Sequence, residues 1–247
     1  MSERGKYIVI EGTDATGKSF HASLLRSRLA KRGIKTANFI VEEPDSAIKL
    51  NDVSQYDIPY LTEADRELRM LVPAASAIRK IVKSREMNCS TEANILLFTA
   101  SRQLNWQQAM LPALQRGETV VTARNWLSTL VYQGYAEGGD IAEIESLTKK
   151  YVGEEYMKPD MQLILDMSSE EERQLRLNNR GTETKADAFE QRPPDFQQKV
   201  ILGYRAIAAE RNIPLLSATP EETTDDVHQR IRNYISKTRL FPELFFR

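Results

Sequence analysis

The sequence is poor in the features that mark secreted and membrane proteins. It contains one cysteine, Cys89, so it cannot form an intramolecular disulfide, which suits a reducing cytosol. No apolar run approaches the roughly 18 to 20 residues needed to span a bilayer. The polar first six residues lead directly into a predicted strand, without the apolar stretch of a signal peptide. These absences predict a cytoplasmic protein with no membrane segment.

The chain also lacks an excess of charge of either sign. Its 34 Lys and Arg residues oppose 35 Asp and Glu residues, which leaves a net charge of −1. The overall charge therefore does not predict a polyanionic partner such as nucleic acid, although a local basic groove remains compatible with it. There is no internal repeat and no low-complexity tract. A length of 247 residues with 41% hydrophobic residues fits one α/β domain, with elaborations or a small lid.

What the sequence does contain is a phosphate-binding loop. Residues 12–19 fit the pattern G-x-x-x-x-G-K-[ST] without a gap, between an apolar strand and a helix with apolar residues at helical spacing. Backbone N–H groups and the helix N-terminus favour bound phosphates, Lys18 is expected to reach the β- and γ-phosphates, and Ser19 is expected to ligate Mg²⁺. Before ATP binds, we expect the Lys18 amine to be solvated. The predicted ATP-binding residues are Gly12, Thr13, Asp14, Ala15, Thr16, Gly17, Lys18 and Ser19.

Short apolar strands alternate with helices along the chain. Strands are predicted at 7–10, 36–41, 119–123, 161–166 and 214–217, and helices include 19–31, 61–84, 91–115 and 223–237. This order predicts an α/β fold, a three-layer P-loop NTPase with a parallel sheet of five strands. The charged segment 178–195 breaks the pattern and predicts a lid, with an ordinary surface loop as the alternative.

With this P-loop, the sequence resembles the thymidylate kinase family, whose members transfer a phosphoryl group from ATP to dTMP with Mg²⁺. The resemblance extends over about residues 6–235 and is interrupted by an insertion at 47–75. It implies one P-loop kinase domain over residues 1–247, with the small-molecule nucleotide as substrate. It also implies a homodimer formed through the helices around 91–115 and 126–135.

Several local matches assign substrate-binding roles through this resemblance. Phe98 and Arg102 match an F-x-x-x-R helix whose aromatic ring stacks on thymine and whose arginine binds the base and phosphate region. Arg124 matches an arginine that contacts the monophosphate, and Asp14 matches a carboxylate directed at the 3′-hydroxyl. The helix that lines the base and sugar is matched by Ser128, Thr129, Tyr132 and Gln133, and Tyr132 falls where a ring crowds a ribose 2′-hydroxyl.

Further matches lie in the first substrate motif and in the lid. Glu43 matches the carboxylate of the family's Arg-Glu-Pro motif, and Asp187 and Glu190 match a D-x-x-E pair. Arg176, Arg180 and Lys185 are the predicted cations that enter from the lid and, with Lys18 and Arg124, serve catalysis. Each match has an ordinary structural alternative, such as a core ring or a solvated charge. The assignment therefore depends on their shared order and spacing.

Two positions depart from the family pattern. Glu42 stands where the family has the arginine of Arg-Glu-Pro, and Ala123 stands where it has an aspartate before Arg124. The P-loop position Ala15 carries no arginine either, which resembles the members that supply cations from the lid, here Arg180, Lys185 or Arg192. The insertion contains Lys49, Arg66 and Arg69, which could replace the lost cation.

Three functions compete at this point. The first is a kinase for a deoxynucleoside monophosphate, dTMP or a 5-substituted dUMP. The second is a kinase of the same fold that phosphorylates a hydroxyl on a nucleoside or on a modified pyrimidine in DNA, with Glu42, Glu43 or Asp14 as base. The third is a non-catalytic nucleotide-binding regulator, which the intact Lys18 and Ser19 disfavour.

Overall fold

The sheet is the element that positions everything else. The computed structural model describes residues 3–42, 47–49, 71–84, 86–87, 89–167, 170–178, 189, 192–219 and 222–241. Within these residues one sheet has the strand order β3-β2-β4-β1-β5-β6. Its strands are β1 (Tyr7–Gly12), β2 (Phe39–Glu42), β3 (Ala47–Lys49), β4 (Val120–Ala123), β5 (Met161–Met167) and β6 (Leu215–Ala218).

Neighbouring strands are parallel throughout the sheet except at one edge. β2, β4, β1, β5 and β6 run in the same direction, whereas β3 is antiparallel to β2. The predicted α/β class with a parallel sheet is thus confirmed. The sequence did not predict β3, and it began the second strand too early: Thr36 forms only an isolated bridge with Thr119 before β2 starts at Phe39.

Helices connect the strands and cover both faces of the sheet. They are α1 (Lys18–Lys31), α2 (Pro73–Lys83), α3 (Thr91–Asn105), α4 (Leu111–Gln115), α5 (Trp126–Thr129), α6 (Ile141–Tyr151), α7 (Glu154–Met157), α8 (Glu170–Asn178), α9 (Pro194–Glu210) and α10 (Thr224–Thr238). Two π-helical segments, Trp106–Met110 and Leu130–Ala136, continue α3 into α4 and extend α5. Of the predicted helix 61–84, residues 61–70 lie outside the described residues. Among the described helices, none has the length and apolar character needed to cross a bilayer.

Alternation along the strands produces two apolar layers. Ile8, Ile10 and Val121 pack toward α1 and α10, while Tyr7, Val9 and Val120 belong to the larger cluster under α3 and α9. All six side chains are fully buried. The sheet is therefore a rigid support for the loops that follow its strands.

The carboxyl ends of β1 and β4 meet at one edge of the sheet. Ile10 and Ala123 are register partners, so the loop after β1 and the residues after β4 start side by side. Gly12 closes β1 with φ 139°, and a Cβ there would lie 2.0 Å from the Leu165 carbonyl oxygen. Only glycine fits this close approach to β5. Ligands of open α/β sheets bind at this edge.

Candidate active site

The lysine of the phosphate-binding loop after β1 forms hydrogen bonds within the loop itself. The Lys18 amine donates to the Thr13 carbonyl oxygen and lies 3.4 Å from Thr16 Oγ1, which itself donates to the Thr13 carbonyl oxygen at 2.9 Å. Lys18 is only 7% exposed. The expectation that its amine is solvated before ATP binds was wrong, because the loop backbone curls around it and supplies an acceptor.

The residues at the start of α1 fit a magnesium ion held largely by phosphates and water. Ser19 is half-buried and is the second residue of α1, so a hydroxyl-bearing side chain stands at the helix N-terminus. Within the described part of the chain, no three His, Cys, Asp or Glu side chains cluster as metal ligands. Mg²⁺ in phosphoryl-transfer sites is commonly bound by one or two protein oxygens together with substrate phosphates. Ala123 adds no ligand, because it lies in the apolar cluster of β1, β4, β5 and α1.

A cavity opens beside the P-loop at the ends of β1 and β4. Eight of the predicted substrate-binding residues line it together with two residues that sequence reasoning missed, Lys83 and Phe189. The eight are Asp14, Phe98, Arg102, Arg124, Ser128, Thr129, Tyr132 and Gln133. They come from the P-loop, from α3, from the residue directly after β4, and from α5 with its π-helical extension. The structure therefore brings these eight residues together around one cavity.

A half-buried ion pair connects the P-loop to the residue after β4. Arg124 pairs with the carboxylate of Asp14, which also accepts a hydrogen bond of 2.9 Å from the Tyr132 hydroxyl. Burial alone would raise the pKa of Asp14, but the charges of Arg124 and Lys18 and the Tyr132 hydrogen bond hold this pKa well below its usual range. Burial, together with the Asp14 carboxylate, raises the pKa of the Tyr132 hydroxyl. Asp14 is therefore an anion and Tyr132 a neutral donor near neutral pH.

Arg124 is held in one place from several sides. Its guanidinium donates to the Gly12 carbonyl oxygen at 3.1 Å, to Ser128 Oγ at 3.1 Å and to the Tyr204 hydroxyl at 3.0 Å. Its backbone has φ 72°, a left-handed conformation that is uncommon for a side-chain-bearing residue. Such conformations persist where surrounding contacts enforce them and are frequent at functional sites.

Glu11, the residue before Gly12, helps to fix this conformation of Arg124, because it binds residues that contact or follow Arg124. It is fully buried and accepts hydrogen bonds from the Asn125 backbone N–H at 2.6 Å, from Ser128 Oγ at 2.8 Å and from the Tyr204 hydroxyl at 3.0 Å. Sequence reasoning missed Glu11. The available signal was a carboxylate at the end of an apolar strand, which is too costly to bury without partners.

Aromatic rings form one wall of the cavity. Phe98 lies 6.0 Å from Phe189 between ring centroids, and Tyr132 meets Phe189 edge-on at 6.1 Å. Arg102, one helical turn after Phe98, is 1% exposed and donates to Thr129 Oγ1. The i, i+4 spacing of Phe98 and Arg102 thus turns both side chains toward the same cavity.

The remaining predicted residues are only partly placed. Glu43, Arg180, Lys185, Asp187 and Glu190 lie outside the described residues, and so do Arg66 and Arg69 of the insertion. Arg176 lies in α8 and Lys49 in β3, with the backbone alone described. Arg192 forms an ion pair of 3.0 Å with Glu137 and lies 5.2 Å from the centre of the Phe196 ring. Arg192 is thus engaged at the base of the predicted lid rather than directed at the P-loop.

Comparison with known proteins agrees with this geometry. Residues 71–231 match the family model for thymidylate kinase. A thymidylate kinase from Gluconobacter oxydans is 31% identical over 212 residues, which covers 85% of this chain and 84% of that protein. One from Rhodopseudomonas palustris is 31% identical over 237 residues, or 94% and 90%. The crystal structure of a thymidylate kinase from Ehrlichia chaffeensis superposes with a TM-score of 0.61 at 18% identity, covering 94% of this chain and 99% of that chain, and so supports the fold.

Proposed function

We propose that this chain, which belongs to the thymidylate kinase family of nucleoside monophosphate kinases, uses ATP and Mg²⁺ to phosphorylate dTMP or a 5-substituted dUMP to the diphosphate. The observation that carries the proposal is the cavity beside the P-loop. Asp14 belongs to the P-loop and also lines the cavity with Phe98, Arg102 and Tyr132. An acceptor bound there would lie next to the bound triphosphate, which in-line phosphoryl transfer requires.

Positioning and charge neutralisation account for the proposed chemistry. Arg102 and Arg124 would bind the acceptor phosphate, Phe98 would stack on the base, and Asp14 would accept from the sugar hydroxyl. Lys18 would leave the Thr13 carbonyl oxygen for the β- and γ-phosphates of ATP. Mg²⁺ bound near Ser19 supplies further neutralisation of phosphate charge. No general base is needed, because a phosphate oxygen is already anionic at neutral pH.

The test is a panel of acceptors with one readout. ADP release from ATP and Mg²⁺ is measured with dTMP, dUMP, 5-hydroxymethyl-dUMP, thymidine and single-stranded DNA. We expect dTMP or a 5-substituted dUMP to give the highest kcat/KM. A panel in which no monophosphate exceeds the rate with water alone would contradict the proposal.

Phosphorylation of a hydroxyl is the second candidate, and two observations bear on it. Ala123 carries no carboxylate at the end of β4, which departs from the family pattern, although it is buried in an apolar cluster and does not line the cavity. A hydroxyl acceptor needs a base, however, and Asp14 is a poor one, because its pKa is well below the usual range. The charge state of Asp14 therefore favours the monophosphate acceptor.

The two departures can be tested together, because Glu42 and Ala123 are register partners on β2 and β4. Ala123→Asp alone brings a second carboxylate to the neighbouring strand and a charge into an apolar cluster, so we expect it to destabilise the fold. Adding Glu42→Arg supplies an opposite charge at the paired position. We expect the double variant to recover stability and to bind dTMP more tightly than the wild type. Equal losses in the single and double variants would contradict this coupling.

Two further properties are proposed from the family alone. We expect a homodimer through the helices around 91–115 and 126–135, and sedimentation of the purified chain measures this directly. We also expect a cytoplasmic enzyme that acts on free nucleotides, with nucleic acid as a substrate only under the second candidate function.

A further inference from the structure

One buried hydroxyl that does not line the cavity contacts the residues that hold Arg124. Tyr204 of α9 is fully buried in the main apolar cluster and is not among the residues around the cavity. Its hydroxyl donates to the Glu11 carboxylate at 3.0 Å and accepts from the Arg124 guanidinium at 3.0 Å. The same oxygen lies 2.9 Å from Ser128 Oγ. No sequence motif assigned a role to Tyr204.

The hydrogen bonds determine which way this hydroxyl faces. A hydroxyl has one hydrogen to donate and two lone pairs that accept. The Glu11 carboxylate only accepts, and it takes the hydrogen of Tyr204 at 3.0 Å and that of Ser128 at 2.8 Å. Both hydroxyl oxygens therefore turn lone pairs toward Arg124, which only donates. Burial and the charge of Glu11 raise the pKa of the Tyr204 hydroxyl well above its usual range, so this hydrogen is retained near neutral pH.

The guanidinium of Arg124 connects this hydroxyl to the cavity wall. One terminal nitrogen of Arg124 donates to Tyr204, to Ser128 and to the Gly12 carbonyl oxygen. The other terminal nitrogen pairs with Asp14, and both Arg124 and Asp14 line the cavity. Because a guanidinium is planar and rigid, fixing one of its nitrogens restricts the direction of the other. Tyr204 thus helps to set the position of a cation at the cavity wall.

The position of Tyr204 is set by helix packing. α9 packs against the π-helical extension of α5 and against β5. Gly203, directly before Tyr204, allows this close approach, since a Cβ there would lie 3.1 Å from Tyr135 Cβ and 3.2 Å from Val131 Cγ1. The Tyr204 ring also meets the Tyr132 ring edge-on, with centroids 6.5 Å apart. The hydroxyl oxygen is therefore held by the protein core before any ligand binds.

We infer that Tyr204 is a positioning residue for the acceptor phosphate: its hydroxyl, oriented by Glu11, holds Arg124 where the phosphate of the acceptor nucleotide binds. Because Arg124 contacts that phosphate only in the proposed function, the role of Tyr204 rests on that function and deepens it. A buried oxygen that contacts no ligand then sets part of the affinity for a phosphomonoester. A tyrosine with a merely structural role would affect stability and would not distinguish ligands by their phosphate.

The experiment removes one oxygen atom and compares two ligands that differ only in the phosphate. Tyr204→Phe keeps the ring and deletes the hydroxyl. Binding of dTMP and of thymidine is measured by calorimetry at pH 7.5, and thermal melts report the stability of each variant. The matched control is Tyr156→Phe, since Tyr156 is 1% exposed in the same apolar cluster but packs against Tyr7 and Trp106 at the start of β1.

We expect Tyr204→Phe to weaken dTMP binding by about 3- to 10-fold, the range for one hydrogen bond of ordinary strength, because Gly12 and Ser128 still hold the same nitrogen of Arg124. Thymidine binding should be nearly unchanged. Tyr156→Phe should bind both ligands like the wild type, whatever its melting temperature. Equal weakening of dTMP and thymidine by Tyr204→Phe, or no weakening of either, would overturn the inference while leaving the proposed function in place.

A double-mutant comparison tests whether Tyr204 acts through Arg124. In Arg124→Lys the single amine cannot bridge Tyr204 and Asp14 as the guanidinium does, so adding Tyr204→Phe should weaken dTMP binding little further. Independent, additive losses from the two substitutions would contradict a role through Arg124. If the wild type binds neither dTMP nor 5-hydroxymethyl-dUMP, the proposed function fails and the inference fails with it.

Glu11→Gln tests the same hydroxyl orientation from the other partner. An amide side chain both donates and accepts, so it no longer fixes the hydrogens of both Tyr204 and Ser128. We expect this variant to weaken dTMP binding more than thymidine binding, as Tyr204→Phe does. It decides the question if Tyr204→Phe does not fold, and an equal effect on both ligands would count against the inference.

Discussion

The two ends of the candidate site are held together by different interactions. At the ATP end, the P-loop is one continuous segment, and its shape is maintained by backbone carbonyl contacts from Lys18 and Thr16. At the acceptor end, the contacts are between side chains that are distant in sequence, and they centre on the buried Glu11 and the half-buried Arg124. A local loop can lose one side chain and keep its fold. A buried charge network loses partners when any member is removed, so the same kind of substitution there should affect binding and stability together.

The largest effect is expected at the ATP end. Lys18→Ala removes the charge that stabilises the transferring phosphoryl group, so kcat should fall by about 100-fold or more. The melting temperature should change less than it does on removal of a residue of the acceptor-end network, because the hydrogen bonds of Lys18 go to Thr13 and Thr16 within its own loop. Steady-state ADP release and a thermal melt measure the two quantities. The control is Lys31→Ala, an exposed residue at the other end of the same helix; near-normal turnover in Lys18→Ala would refute the ATP-site assignment.

The next largest effect is expected at the acceptor end, and it tests whether Arg102 contributes to binding of dTMP but not of ATP. Arg102→Ala should raise KM for dTMP by about 10- to 100-fold, the loss expected for a charge-assisted contact, while KM for ATP changes little. Arg102 is 1% exposed, so the alanine also leaves a buried void. Arg102→Lys keeps the charge and most of the volume and should fall between the wild type and the alanine variant. If KM rises equally for both nucleotides, the effect is structural and the match to F-x-x-x-R carries no functional meaning.

The third effect is on stability at the acceptor end. Glu11→Gln keeps the side-chain size but removes the carboxylate that accepts from Asn125, Ser128 and Tyr204, so the free energy of unfolding should fall by about 1–3 kcal/mol. The reference variant is Glu3→Gln, whose side chain is 85% exposed. Urea unfolding measures both. A Glu11→Gln protein as stable as Glu3→Gln would show that the network does not hold Arg124 in place.

The difference between local and long-range contacts also explains which features of the fold and the site could be predicted from the sequence. The P-loop follows from spacing within one segment, the α/β class from the alternation of strands and helices, and the F-x-x-x-R residues from the resemblance to the family. The charge state of Asp14 and the presence of Lys83 in the cavity could not be predicted in this way, because each depends on side chains brought together from separate elements. Lys83 belongs to a helix whose sequence pattern, with Val82 buried beside it, indicates only an amphipathic surface element. From the sequence, Lys18 was expected to be solvated. Its burial could not be predicted, because it depends on how the loop backbone curves around the amine.

The smallest effect concerns a histidine pair behind the ATP end. His21 of α1 and His228 of α10 are the two histidines of the chain; both are buried, and their rings stack with centroids 5.6 Å apart. Burial, together with the charges of Arg28 and His21, lowers the pKa of His228 to about 3. The folded state therefore keeps His228 neutral at a pH where the unfolded chain, with a pKa near 6.5, takes up a proton.

This difference fixes the sign of the pH dependence. Above about pH 6.5 neither state is protonated at His228, and its stability contribution is constant. As the pH falls from 6.5 toward 3, the unfolded state binds the extra proton and stability drops by at most about 1.4 kcal/mol per pH unit. His228→Phe removes this contribution and keeps a ring against His21, so the stability of the wild type relative to the variant should decline between pH 7.5 and 5.5. Urea unfolding at three pH values measures it, and the paired carboxylates common to both proteins cancel in the comparison. Parallel stability curves for the two proteins would contradict this prediction. They would mean that His228 takes up a proton equally readily in the folded and the unfolded state.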